Sequence, residues 1–423
     1  MATLNAGTGN DGSITISGSK NLNTDILADG RSYADGVVYR INAISSDTVT
    51  TVATPLGLVQ NDEVLLINLK GTSDSNYDNA GNYEFFIIDD IVGNTITFKT
   101  SKTKLYGDNG GDSNVDNHHV VIQRVPNYQE VTIQNSSELS CSAWTLSNPA
   151  GILALRVKGT LLNDGIISVL GKGFATPTDG GDYGHQGQSI GQNSAVTNSR
   201  SVGGGGGGRV AYYSCSGSSY ATLGVNNAGS TPGIVYGDEA LVKLFLGSAG
   251  AGAGSWGNGG AAGGIIFIAA RTLNNDGSII NDGVNGTGSI GGGGTGGTGG
   301  STRIEAGTLL LGDGTISAIG VDQSGHGRNA IYYNNTTEAV SGSPTPYIDS
   351  TLEIPPSYEI SGILSEAATI RVYNYSTGQL IKAEAKEAGA YSVELTSDDK
   401  VDLLAKKSND ETLSFGGVTP STI

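Results

Sequence analysis

Short apolar runs broken by turn residues recur along this chain at intervals of about ten residues, the spacing expected of a protein made of strands. Near the N-terminus, Gly36-Val-Val-Tyr-Arg-Ile-Asn-Ala-Ile44 alternates in part. Asp62-Glu-Val-Leu-Leu-Ile-Asn-Leu69 is a compact apolar run closed by Lys70-Gly71, and Gly81-Asn-Tyr-Glu-Phe-Phe-Ile-Ile-Asp89 is another. Asn94 to Thr100 alternates cleanly and puts Ile96 and Phe98 on one face. Val120 to Val125 follows and stops at Pro126, which cannot donate to a strand ladder. These runs predict a β-sandwich or small barrel over 1–135, suited to anchoring or oligomerisation.

From about 136 to 345 the pattern becomes repetitive. Lys158-Gly-Thr-Leu-Leu-Asn-Asp-Gly-Ile-Ile-Ser-Val-Leu-Gly171 is one copy of a unit, Ala270-Arg-Thr-Leu-Asn-Asn-Asp-Gly-Ser-Ile-Ile-Asn-Asp-Gly283 a second, and Ala306 to Gly320 a third with one residue inserted. A short strand precedes each: Ile152–Val157, Ile265–Ala269 and Thr302–Glu305. The copies share turns at Asp164-Gly165, Asp276-Gly277 and Asp313-Gly314, where glycine is expected to supply a positive φ. One unit cannot bury its apolar face alone, whereas stacked units share a core, so the middle is read as a glycine-rich β-solenoid. The stretch 172–263 between the first two copies is an insertion that projects from the stack or wraps along it. Residues 346–423 begin with a proline-marked linker. Five further runs follow, starting near Tyr358, Ala368, Gly378, Gly389 and Lys400, and these predict a small C-terminal β-sandwich. The fold class is therefore all-β throughout.

Composition sharpens this picture. Of 423 residues 67 are glycine, more than twice the usual share, without the Gly-X-Y period of collagen. Two runs stand out, Gly203 to Gly208 and Gly291 to Gly300. They read either as flexible linkers or as polyproline II-like segments lying unusually close together, and the flanking repeats favour order for at least part of them. The net charge of −17 makes nucleic acid a poor partner. Met1 to Gly12 carries neither the basic nor the apolar stretch of a signal peptide, and no run approaches the length of a membrane span. Membrane insertion is not expected. Cys141 and Cys215 have no CxxC partner and read as two buried thiols, with a disulfide between them as the alternative.

Candidate chemistry is sparse. No HExxH or Walker sequence occurs, and no cofactor is implied. His118-His119 is expected as a satisfied surface pair. In the segment 108–117, Asp112, Asn114 and Asp116 have the odd-position spacing of a calcium loop. Asn117 and Gln123 fall where an EF-hand needs Gly and Glu, so a solvated turn is the default reading and a looser calcium site the alternative. Glycosidase chemistry needs two carboxylates at a set separation, but the acids of the repeats sit mostly in turns. The aromatic loops offer better contact surface. Tyr212, Tyr213, Tyr220 and Trp256 in the insertion, with Tyr332 and Tyr333 after the third copy, are candidates for stacking on sugar rings or, alternatively, caps on the solenoid edges.

Several stretches between about 35 and 320 resemble a family of glycine-rich β proteins of tailed-phage virions and bacterial genomes. They are Asp62 to Leu69, Gly81-Asn-Tyr-Glu-Phe85, Gln123-Arg-Val-Pro-Asn-Tyr128, Gly184-His-Gln-Gly-Gln-Ser189, the Gly203 run, Tyr236-Gly-Asp238 and Leu244-Phe-Leu-Gly-Ser-Ala-Gly250. The last segment resembles a carboxypeptidase-regulatory-like or transthyretin-like sandwich through Ile360-Ser-Gly362, Ile370-Arg-Val-Tyr373, Ser376-Thr-Gly-Gln-Leu380 and Gly389-Ala-Tyr391, and Gly417 to Ile423 looks like the ending of many phage tail proteins. The resemblance implies a virion appendage such as a tail fibre, tail-tip adhesin or head fibre, and the sparse candidate chemistry makes a non-enzymatic one the expectation. Its implied partners are other virion proteins and a host-surface glycan or protein, with a homo-oligomer, for example a trimer, as the working form. A secreted bacterial surface adhesin or filament subunit is the alternative, and a polysaccharide-degrading β-helix enzyme the second.

Overall fold

The computed structural model describes residues 2–176, 184–191, 195, 197, 199–205, 215–226, 230–253, 257–287 and 294–355, and, in the C-terminal part, 358–364, 367–374, 380–386, 388–395, 401–407, 412–418 and 421–422. Every regular element among them is a strand. The chain forms two compact units, 1–352 and 353–423.

The body of the first unit is a parallel β-solenoid. Its first rung is β1 (Ile14–Ile16) and β2 (Ser19–Asn21). A barrel then intervenes: β3 (Val38–Ile44), β4 (Thr48–Thr51), β5 (Glu63–Asn68), β6 (Tyr83–Val92), β7 (Thr95–Phe98) and β8 (Val120–Arg124). The chain returns through β9 (Asn127–Tyr128) and lays down further rungs: β10 (Val131–Ile133) with β11 (Glu138–Ser140), β12 (Ile152–Asn163) with β13 (Ile166–Ser168), β14 (Ile265–Asn275) with β15 (Ser278–Ile280), and β16 (Ser301–Leu310) with β17 (Thr315–Ser317). β18 (Arg328–Thr336) and β19 (Tyr347–Asp349) close the long sheet, whose order is β1-β10-β12-β14-β16-β18-β19. The short sheet runs β17-β15-β13-β11-β2.

The repeats read from sequence are in register. Thr160, Thr272 and Thr308 are neighbours across the long sheet, as are Leu161, Leu273 and Leu309. The leucine row continues through Val131 to Ile14 in the rungs before it. Alternation does the rest, because every second residue of a strand faces the core. Leu155, Ile268, Ile304 and Ile331 stack rung on rung, and Leu139, Ile167, Ile279 and Ile316 do so in the short sheet. All eight sit in one buried cluster, each contributing about 1.5–3 kcal/mol of transfer free energy as an upper bound. The strand expected before each copy and the Thr-Leu strand are continuous, with a register irregularity at Val157/Thr160.

The turns differ from expectation in one respect. Gly165, Gly277 and Gly314 do not adopt positive φ. Glycine is required there by crowding: a Cβ on Gly277 would overlap the Gly165 carbonyl oxygen, and one on Gly314 the Asn275 carbonyl oxygen. Asp164, by contrast, is exposed.

The predicted N-terminal domain, 1–135, is divided. Residues 38–124 form a closed six-stranded barrel, order β3-β4-β7-β6-β5-β8, while the strands on either side belong to the solenoid. Ile41, Val64, Leu66, Ile88 and Ile122 fill the barrel with Phe86 stacked on Phe98 at 4.4 Å. β5 and β8 are buried on both faces, because their outer side packs on the rest of the unit. The junction is held by buried ions. Arg156 on β12 pairs with Glu63 on β5 at 2.8 Å and lies over the Phe85 ring. Arg124 pairs with Asp11 at 2.6 Å and with Asp62 at 2.7 Å.

The glycine-rich segments are ordered where described. Gly247 donates its N–H to Gly263, Gly263 to Thr298, and Thr298 to Ser248; Gly250 donates to Gly260, Gly260 to Thr295, and Thr295 to Ala251. Three segments are thus joined in a ring of backbone hydrogen bonds whose donors recur every third residue, the period of polyproline II. Facing backbones leave no room for side chains. A Cβ on Gly300 would overlap the Gly264 carbonyl oxygen, and one on Gly263 the Asn281 carbonyl oxygen. The described part of the insertion wraps along the unit rather than projecting. Gly71 donates to Ile190, Leu244 donates to Gly81, and Tyr236 and Phe245 pack edge to face at 5.3 Å. Cys141 and Cys215 are both buried, and burial pushes the Cys141 thiol up to about 12.

The second unit is an antiparallel sandwich. β20 (Tyr358–Leu364), β21 (Ala368–Asn374), β22 (Leu380–Lys386), β23 (Gly389–Leu395), β24 (Val401–Lys407), β25 (Thr412–Val418) and β26 (Ser421–Thr422) form sheets β23-β20-β26 and β22-β21-β24-β25. The five predicted strands are β20 to β24. Ile370, Val372, Val393 and Leu403 are buried in it. Two more strands, β25 and β26, complete the sheets. Thr412–Val418 alternates only in part and carries a Gly-Gly pair, which hides it in the sequence.

Candidate binding site

The segment between β7 and β8 folds around one carboxylate. Asp108 accepts hydrogen bonds from Asn76 Nδ2 (2.5 Å), Asn114 Nδ2 (2.5 Å) and Ser113 Oγ (3.0 Å), and its Oδ1 lies 3.0 Å from His118 Nε2. These contacts, His118 foremost, hold its carboxyl far below the usual carboxylate range. His118 is wholly buried and His119 nearly so, and neither lies on a strand, so the expected surface pair is corrected. Two non-glycine residues of the segment have left-handed backbone, Asn114 (φ 59°) and His119 (φ 49°). Asn tolerates that conformation. For His119 it costs on the order of 1 kcal/mol, which the surrounding contacts offset.

The calcium alternative fails on geometry. Asp112 accepts from Lys102 Nζ at 2.6 Å and from the Tyr106 amide at 2.9 Å, Asn114 turns to Asp108, and Asp116 pairs with Arg40 at 2.6 Å. The three side chains serve three separate partners. Among the described residues no group of three His, Cys, Asp or Glu converges on a metal position.

What the segment does build is a cleft of about 710 Å³ at the edge of the barrel. Arg40 reaches it from β3, Lys70 and Thr72 from the turn after β5, Asn114 and His119 from the folded segment, and Leu146 from the chain after β11. Lys70 is only 3% exposed. Its ammonium makes one long hydrogen bond, 3.4 Å to the Gly71 carbonyl. Burial pushes its pKa down to about 8, with Asp74 acting in the opposite sense, so it is protonated at neutral pH. His119 rests edge-on against Trp144 at 6.0 Å, and its Nδ1 is buried without a hydrogen-bond partner. Burial, with Arg40 and Lys70 nearby, pushes it down to about 4, so its ring is neutral at pH 7. Arg40 spends Nη2 on Asp116 and leaves Nε buried and unpaired. The cleft therefore holds unspent donors beside carboxylates that are already satisfied.

The aromatic candidates are placed differently from expectation. Tyr220 has no exposed surface. It stacks on Tyr236 at 4.7 Å, and its hydroxyl lies 2.7 Å from Ser301 Oγ. Tyr332 is 5% exposed and sits under the Arg303 guanidinium, 4.1 Å from ring to cation, and Tyr333 packs against the solenoid core. These three are structural, in line with the edge-capping alternative. Tyr212, Tyr213 and Trp256 lie outside the described residues. A second, smaller pocket of about 360 Å³ is lined by Thr222, Arg328, Asn329, Pro344 and Tyr347. Arg328 there donates Nη2 to the carbonyls of Tyr236 and Gly237, and its Nε is buried without a partner.

Sequence reasoning missed Arg40 and Lys70. The available signal was Lys70 itself, a cation closing a largely apolar run and followed by a turn rich in Ser, Asp and Asn.

No family model matches the chain, and no curated protein matches it. Two solved structures align weakly along most of its length. The tailspike gp61 of Pseudomonas phage phi297 aligns at 11% identity and a TM-score of 0.17, over 97% of this chain and 84% of that one. The tailspike gp49 of Pseudomonas phage LKA1 aligns at 12% identity and a TM-score of 0.16, over 95% and 86%. Among the described residues no helix is long and apolar enough to cross a membrane.

Proposed function

We propose that this protein is a non-enzymatic appendage of a phage virion that attaches to the host surface, working as a homo-oligomer in company with other virion proteins. The observation that carries the reading is the cleft beside Lys70 and Arg40: preorganised binding groups on a barrel that buried ion pairs clamp to a stacked, side-chain-packed body. A rigid scaffold presenting polar donors suits repeated weak contacts made multivalent by copy number. The C-terminal sandwich and the phage-like sequence stretches support the virion setting.

The test is gold-labelled antibody on particles together with fluorescent protein on host cells. Label on particle appendages and saturable staining of cells are expected. Label confined to cells and never found on particles would replace the virion reading with the bacterial adhesin one. New reducing ends from host polysaccharide incubated with the pure protein would refute the non-enzymatic part.

A further inference from the structure

We infer that the barrel cleft is a subsite for an oxyanion carried on a sugar, held by Lys70 Nζ and the Arg40 guanidinium with His119 beside them. The inference deepens the attachment reading and rests on it. Three observations converge. The first is a difference between acids and bases. Asp108 already receives three side-chain donors besides its His118 contact, and Asp116 is taken by Arg40, so the carboxylates have little left to offer a ligand. Lys70 has three N–H donors and a single long bond to its own neighbour, and Arg40 keeps a buried N–H without a partner. Unspent capacity in the cleft is thus predominantly donor capacity, and it is cationic.

The second is burial. A protonated lysine at 3% exposure without a close carboxylate contact is costly to the empty protein, since Asp74 offsets the desolvation of its charge only in part. An anion in the cleft supplies that partner. The third is proximity: Arg40 and Lys70 both act electrostatically on His119, so the three groups converge on one space. The neutral His119 ring adds a donor or acceptor at Nδ1, and its strained backbone fixes the ring's direction. A cleft of about 710 Å³ admits more than an isolated small anion, and Thr72, Asn114 and Asn117 on its wall suit hydroxyl groups. The oxyanion is either a uronate carboxylate or a phosphate substituent.

Full-length protein would be titrated by calorimetry with D-glucuronate, D-glucose 6-phosphate and methyl α-D-glucoside, alongside Lys70→Met and Asn117→Ala. Either charged sugar should bind at least about tenfold more tightly than the neutral one, and the tighter of the two identifies the anion's source. Lys70→Met should lose at least about tenfold of that affinity while melting no lower than the parent, because it removes a buried charge that makes no close ion pair. Asn117→Ala, at an exposed position, should weaken the sugar without affecting folding. Equal binding of charged and neutral sugars overturns the inference, as does no binding at all, or undiminished glucuronate binding by a folded Lys70→Met. Cell staining keeps the two readings apart. Staining by the parent protein that Lys70→Met reproduces removes the subsite and leaves attachment standing, whereas no staining by the parent removes attachment itself.

Discussion

The sheets and the glycine lattice of the first unit solve one problem, stacking chain on chain, by opposite means. In the sheets the backbone hydrogen bonds run between rungs and the interior is side chain: Leu155, Ile268, Ile304 and Ile331 touch in register. In the lattice the interior is backbone. Gly247, Gly263 and Thr298 pass hydrogen bonds around a ring, and glycine is used because the facing chains leave no volume for a Cβ. The first region derives its stability from apolar area removed from water, the second from satisfied peptide groups at close approach. Sheets should therefore be sensitive to removed atoms, and the lattice to added ones.

The largest effect is expected from adding atoms to the lattice. Gly263→Val places a branched side chain against the Asn281 carbonyl and the Gly300 amide, both backbone atoms that cannot yield without breaking the Gly300-to-Asn281 hydrogen bond. A loss of about 4 kcal/mol or more is expected from overpacking and broken bonds together. Chemical denaturation would read it, and a loss below about 1 kcal/mol would show that the lattice is loose.

Removing atoms from the sheets comes next. Leu155→Ala should cost about 3 kcal/mol, the middle of the range for a buried leucine, because neighbours on both sides are fixed by the ladder. If Leu155→Ala and Gly263→Val were to exchange rank, the contrast between side-chain and backbone packing would be wrong.

A smaller effect tests the edge of the core, where both modes meet. Asn163 and Asn275 are register partners, and Asn163 Nδ2 donates to Asn275 Oδ1 at 2.6 Å in full burial. Asn163→Ala leaves an acceptor unsatisfied and should cost about 1–2 kcal/mol. A neutral result in the same denaturation experiment would mean that water replaces the amide.

Legibility in the sequence follows the same contrast. Side-chain packing leaves a pattern. The Thr-Leu and Asp-Gly matches at 160, 272 and 308 predict the three middle rungs in their observed register. The first two rungs escaped, since β1, β2, β10 and β11 are three residues each, carry no Asp-Gly pair, and stand on either side of an inserted barrel. Backbone packing leaves only glycine, which a linker would also show, and polyproline II donors every third residue need no fixed side chain. Glycine at the repeat turns was visible while its reason was not, because crowding by the neighbouring rung is a tertiary fact. The cleft was half legible. Its folded segment drew attention as an Asp/Asn cluster, but the partners that spend those acids, Arg40, Asn76 and Lys102, come from distant positions. The tyrosines misled because Tyr220 and Tyr332 use their size to fill the seam between solenoid and insertion.

The smallest effect isolates space itself. Gly111, in the segment beside the cleft, has no positive φ, and a Cβ there would meet nothing nearer than the Asp108 carbonyl oxygen at 4.0 Å. Its amide keeps the bond to that oxygen at 2.8 Å whichever residue occupies the position. Gly111→Ala should therefore be neutral or stabilising by about 0.4–1 kcal/mol, through the reduced freedom of the unfolded chain. The same methyl group at Gly263 strikes backbone. Measured side by side, the two alanine variants separate a glycine chosen for lack of room from one that is merely permitted. A clear destabilisation at Gly111 would show that the segment around Asp108 packs more tightly than its open flank implies.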